Sequence, residues 1–177
     1  MRRLIWTMAG VIGLAGLAAG AAAAWAQHGR GAADATHPHQ VAETCAAEFD
    51  KVVGEGRGFG MGFAADQNGY PGPMHLLELR ERLGLTAEQA AKAQALVHAM
   101  FSESRPKSAR LLEAEARLKK LFADGAAGEA AVRAAVAEVE RARSEVRLVH
   151  LLTHLKTREL LTEGQRRVYH EARWGTR

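Results

Sequence analysis

Leu85-Thr86-Ala87-Glu88-Gln89 opens the stretch that decides the fold, LTAEQAAKAQALVHAMFSESRPKSARLLEAEARLKKLF, residues 85–122. A threonine side chain accepts a hydrogen bond from the free N–H groups of a helix's first turn, and a glutamine three residues on returns one to the cap. Thr86 and Gln89 therefore read as a capping box. No glycine interrupts the run until Asp124-Gly125, a stop signal. Leu111, Leu118, Leu121 and Phe122 mark a buried stripe in its second half. Pro106 removes one backbone donor and crowds the preceding turn, which predicts a kink near Ser102–Arg105.

Downstream the pattern repeats. Val132, Val136, Val139 and Val146 recur at helical spacing and are joined by Val149, Leu152 and Leu155, predicting a second long helix from Glu129 to about Leu160. Two long amphipathic helices joined by a short Gly-containing link make an antiparallel hairpin. Leu161-Thr162-Glu163-Gly164-Gln165 repeats the capping box and starts a short last helix through Trp174, in which Tyr169 and His170 read as edge packing. Upstream, Pro73 suits a helix N1 position, Leu76, Leu79 and Leu83 share a face, and Gly84 ends that helix. A lone hairpin leaves apolar stripe uncovered, and a homodimer is the natural cover. The expected class is all-α: a long antiparallel hairpin with short flanking helices, paired into a cradle-like dimer.

Residues 27–72 read differently. Ala42 to Val53 suits a short helix, but Gly54, Gly56, Gly58, Gly60 and Gly62 interleave with Phe59, Met61 and Phe63 and run on to Pro71-Gly72-Pro73. So much Gly and Pro argues against a regular element, and the spacing is not that of a nucleotide loop. The segment is expected to be a flexible His- and Gly-rich arm, with Phe59, Met61, Phe63 and Tyr70 as its sticky points.

Arg2 and Arg3 precede an uncharged run, Leu4 to Ala26, ending in Ala24-Trp25-Ala26. That is the form of a secretory signal cleaved after Ala26, and the competing reading is an uncleaved anchor, since about 20 apolar residues span a bilayer. On either reading the remainder lies outside the cytoplasm. Losing Arg2 and Arg3 brings the 24 basic residues close to the 20 acidic ones. With the charges interspersed along helices, nothing points to nucleic acid. Cys45 is the single cysteine, hence a free thiol, an intermolecular bridge or a soft metal ligand.

Two such helix starts flanking a long hairpin behind a signal peptide resemble the Spy/CpxP superfamily, which includes zinc-resistance-associated periplasmic proteins and CnrX-type metal sensors. The resemblance runs from Pro73 to Trp174. It implies a helical dimer of the bacterial envelope acting as an ATP-independent chaperone, a stress-signalling modulator or a metal sensor, and none of these roles is enzymatic.

The candidate chemistry lies in Val149-His150-Leu151-Leu152-Thr153-His154. Imidazoles at i and i+4 share a helical face, where one ion could take both nitrogens. Leu151 stands where a zinc peptidase has its glutamate, so hydrolysis is not supported. The bland alternative is a packed histidine near a dimer seam. The resemblance adds that Arg147-Leu148-Val149-His150 is similar to the stretch of CnrX-type sensors that supplies a His and, four residues later, a Met. His154 replaces that Met, favouring Zn, Ni or Co over Cu(I). The sensors' remaining ligands are not matched: His75 is one residue out of register, Leu79 replaces the second histidine, and Val97, beside His98, replaces the carboxylate. His75, Glu78, His98, or His28, His37 and His39, are the candidates to complete a rearranged site. Met61, Met74, Met100 and Cys45 are soft donors without regular spacing.

Two functions follow as expectations. One is a metal-responsive envelope protein using Zn or another divalent transition metal. The other is a metal-independent holdase for unfolded envelope proteins, with Arg105, Lys107, Arg110, Arg117, Lys119 and Lys120 as its basic surface. A third reading is a tethered regulator whose arm binds a membrane signalling protein.

Overall fold

In the computed structural model, the described residues are 38–175, and the compact unit that carries the hairpin begins at Thr44. The signal-like segment, His28 and His37 lie outside the described residues. Seven helices follow in order: α1 (Pro38–Gly54), α2 (Phe63–Asp66), α3 (Pro73–Glu78), α4 (Arg80–Leu83), α5 (Ala87–Ala123), α6 (Glu129–Glu159) and α7 (Glu163–Trp174). The described residues contain no strand, and the class is all-α as the periodicity predicts.

Helices α5 and α6 form the hairpin. α5 runs through Pro106 without a break in the helix, and Pro106 itself is exposed. Both capping boxes are present: Gln89 N–H donates to Thr86 Oγ1 at 3.1 Å and Gln165 N–H to Thr162 Oγ1 at 3.2 Å, and each cap N–H donates to its glutamine's Oε1 at 3.0 Å. The two boxes also meet. The Gln89 and Gln165 side-chain amides hydrogen-bond to one another at 2.9–3.0 Å, while Gln89 Nε2 reaches the Leu160 carbonyl and Gln165 Nε2 the Leu83 carbonyl. Each glutamine thus caps its own helix and ties down the chain leading into the other.

Two apolar clusters hold the molecule. Val53, Leu111, Ala114, Val139 and Val146 form one, flanked by Phe49 and Met61. Leu76, Leu83, Ala93, Leu161 and Tyr169 form the other. Tyr169, expected at an edge, is fully buried in the second cluster, because α7 packs against α4 rather than trailing away.

The apolar stripe of α6 needs a second correction. Val139, Val146, Val149, His150, Thr153, His154 and Thr157 are its buried face, whereas Val136, Leu148, Leu152 and Leu155 are exposed, as is Phe122 on α5. Valines and polar groups with satisfied hydroxyls go inward: Thr153 Oγ1 donates to the Val149 carbonyl and Thr157 Oγ1 to that of Thr153. The leucines at 148, 152 and 155 form a separate outward stripe.

The expected flexible arm is, from Phe49 onward, part of this packing. Val53 is fully buried, as are Pro71 and Pro73. Ser104 Oγ of α5 donates to the Gly56 carbonyl at 2.7 Å. The segment from Arg57 to Gly72 then crosses the base of the hairpin as a strap of turns around the single-turn helix α2.

Candidate functional site

Along the chain the two histidines fall between Val146 of the first apolar cluster and Leu161 of the second, and the strap covers them there. A hollow of about 300 Å³ is lined by His150, His154, His75, Glu78, Met100 and Asp66, with Phe59, Phe63 and Trp174 among its apolar walls. Of the candidates read from the sequence it brings together His150, His154, His75 and Glu78. His98 is not among them: it is exposed, sits outside the hollow, and contacts Gln94 at 3.3 Å on its own helix, and His39 does not line the hollow either. Met100, two residues on and buried, lines the hollow instead.

Both imidazoles are buried, His150 at 5% and His154 at 9% exposure. Burial pushes the His150 pKa down from 6.5 to about 4, assisted by the neighbouring His154. His154 is also lowered, chiefly by burial; the bond to Tyr70 and the charge of Asp66 oppose this, while His75 adds to it. Both rings are therefore neutral at pH 7, the state in which imidazole nitrogens accept a metal ion. His154 Nδ1 lies 2.6 Å from the Tyr70 carbonyl oxygen, so Nδ1 carries the proton and Nε2 keeps the lone pair. His150 Nε2 is enclosed and has no hydrogen-bond partner. A buried nitrogen in that condition costs about 1–3 kcal/mol, and an ion or other ligand would satisfy it.

What lets the strap come so close is glycine. A Cβ added at Gly58 would lie 2.9 Å from the His150 ring, and one at Gly62 only 2.6 Å from His154 Nε2. Gly72 fits between His154 and His75, with a Cβ 3.2 Å from the first and 3.5 Å from the second. Close approach of main chain to a ring is a demand that only a residue without Cβ meets. The alternation of glycines at 54–62, which reads as looseness, is here partly a contact surface for the imidazoles.

The strap is fastened at Asp66. This buried carboxylate accepts hydrogen bonds from the Tyr169 hydroxyl and from Arg173 Nη2, the latter at 3.0 Å. Burial and the bond to Asp66 hold the Tyr169 pKa far above its ordinary value, so the phenol stays a donor. Phe63 stacks edge-on against Trp174 with ring centroids 5.4 Å apart. Asp66, Tyr169 and Arg173 were missed by sequence reasoning, since partners about a hundred residues apart leave no spacing signal. His75 is partly committed, with Nδ1 3.2 Å from Glu78 Oε2.

The sequence profile of a family described as heavy-metal resistance matches residues 58–168, well over half of the chain. The chain belongs to the heavy-metal resistance family. The matched stretch takes in the strap, both capping boxes, and His150 and His154, and is in line with the resemblance to the Spy/CpxP superfamily. No curated protein and no solved structure matches the chain. Among the described residues no three His, Cys, Asp or Glu side chains are gathered closely enough to hold an ion by themselves. No helix there is long and apolar enough to cross a membrane.

Proposed function

We propose that this family member is a non-enzymatic, metal-responsive protein of the bacterial envelope that takes a divalent transition metal at His150 and His154. The observation that carries the reading is the unpartnered, enclosed His150 Nε2, one turn from a second neutral imidazole whose proton is fixed on Nδ1. Two nitrogens make an incomplete set for zinc, which takes four ligands. His75 and Glu78 line the same hollow and are the candidates to complete it. Borderline ions such as Zn, Ni or Co suit imidazole and carboxylate. Isothermal titration of the protein with each ion tests the proposal. One ion per chain is expected, with loss of the heat signal in a His150→Ala/His154→Ala variant. Equal affinity in that variant sinks it.

The holdase reading has an observation of its own, the exposed Leu148, Leu152 and Leu155 on one face of α6. An apolar stripe of that kind serves either a second copy of the chain or loosely held apolar clients. If the stripe serves clients, replacing the three leucines with serine abolishes protection of a model client from aggregation. If it serves self-association, the sedimentation coefficient falls instead.

A further inference from the structure

The strap is fixed at both ends. At one, the Gly56 carbonyl accepts a hydrogen bond from buried Ser104 at 2.7 Å; at the other, Pro71 and Pro73 are fully buried. Between those ends it meets α7 at two places, through Asp66 on Tyr169 and Arg173 and through Phe63 against Trp174. Its crown is strained. Phe59 has a φ of 34°, a left-handed value that a bulky side chain adopts only at a cost, and no other described non-glycine residue has a positive φ. Strain of this kind gathers at ligand clamps and switch regions.

The closed strap and an occupied metal site compete for the same space. His150 Nε2 is enclosed, so an ion in the hollow does not reach it in this arrangement. Gly58 lies on the face of the His150 ring, and a Cβ at Gly62 would come within 2.6 Å of His154 Nε2. Zinc bonds an imidazole nitrogen at about 2.0–2.1 Å and needs four ligands around it. Main chain already fills one side of the nitrogen that it would use. Helices α5 and α6 are locked together by the first apolar cluster, which leaves the strap as the part that yields. Taking His150 and His154 as the metal ligands, we propose that the strap is a lid that metal binding lifts from α7, with Asp66, Tyr169 and Arg173 as its latch. Latch and ion are then coupled: the apparent dissociation constant is the intrinsic one divided by the fraction of chains with the strap lifted. A weaker latch gives a looser fold and tighter metal binding. Lifting also bares apolar surface, since Met61 of the strap packs on the first cluster and Phe63 on Trp174. Metal occupancy thereby governs how much apolar surface the protein presents.

The test is calorimetric titration of the full chain with Zn(II), together with hydrogen exchange of residues 57–70 with and without the ion. Zinc is expected to lower the protection of those residues. Tyr169→Phe removes one latch hydrogen bond without altering the lining of the hollow, to which Tyr169 does not belong. It is expected to tighten zinc binding about tenfold, the population change that follows loss of one hydrogen bond to a charged group. Phe63→Ala, at an exposed position, is expected to tighten it about threefold, and it decides alone should Tyr169→Phe fail to fold. A latch that is merely structural leaves zinc affinity unchanged or weakens it in these variants. Either result overturns the lid, as does a rise in strap protection with zinc, and all three leave zinc binding at the histidine pair standing. Zinc binding absent from every protein, or undiminished in His150→Ala/His154→Ala, overturns the metal reading and the lid with it.

Discussion

Around Arg117 the hairpin is two helices side by side, with ion pairs along the seam: Arg117 to Glu138 at 2.5 Å, Arg110 to Glu145 at 3.0 Å and Arg143 to Glu115 at 2.6 Å. Phe122 and Val136 stand in solvent there. Around Met100 and His150 the same two helices are roofed by the strap and braced by α3, α4 and α7, and Leu76 and Tyr169 have no exposure. Exposed pairs such as those of the outer half contribute only about 0–1 kcal/mol each. The contrast teaches that length is not what stabilises this hairpin. Its stability is concentrated where a third layer exists, and the histidines sit inside that layer.

Removing one large apolar side chain from each half breaks the comparison most sharply. Leu76→Ala is expected to cost about 2–5 kcal/mol, whereas Phe122→Ala at the outer end should stay within about 0.5 kcal/mol. Urea midpoints compare the two, and equal losses would mean that the halves unfold as one evenly stabilised body.

Acid sharpens it next. His150 titrates near 4 in the folded chain against 6.5 when exposed. Between those values the unfolded chain takes up a proton that the folded base refuses. Stability is therefore full above about pH 6.5 and falls as the pH drops toward 4, by on the order of 2 kcal/mol. His150→Leu should flatten that window, and hydrogen exchange should show the loss at the strap and base before the outer hairpin.

The smallest effect comes from adding one carbon. Gly62→Ala forces a Cβ to 2.6 Å of His154 and should cost about 1–2 kcal/mol as overpacking. Gly128→Ala, with nothing within 4 Å of the added carbon, should be near neutral apart from its cap. Thermal melts of the two variants decide it, and a neutral Gly62→Ala would show that the strap does not press on the imidazole.

Much of this was legible in the sequence, and what was not has a physical reason. The capping boxes, the stops at Gly84 and Gly125, and the spacing of α5 and α6 are local signals, and each gives its element directly. Local spacing does not say which of two apolar faces meets a partner, and so Leu152 and Leu155 read as core while Thr153 and Thr157 hold those places. Glycine is ambiguous in the same way. Gly58 and Gly62 carry no mark that separates a mobile residue from one pressed against a ring 92 residues away. The pair His150 and His154 was visible from its spacing, but the reason for their neutrality, burial beneath the strap, was not.

That strap fixes how the imidazoles meet the outside. A site closed by a side chain opens with a rotamer change, in picoseconds to nanoseconds. Over the His150 ring and beside His154 Nε2 the cover is main chain, and the Asp66 carboxylate pins it to α7. Anything that has to reach these nitrogens from the strap side waits for a backbone segment to move, on the nanosecond-to-microsecond scale of loops or slower. From that side the rates of arrival and departure belong to the strap rather than to the imidazoles.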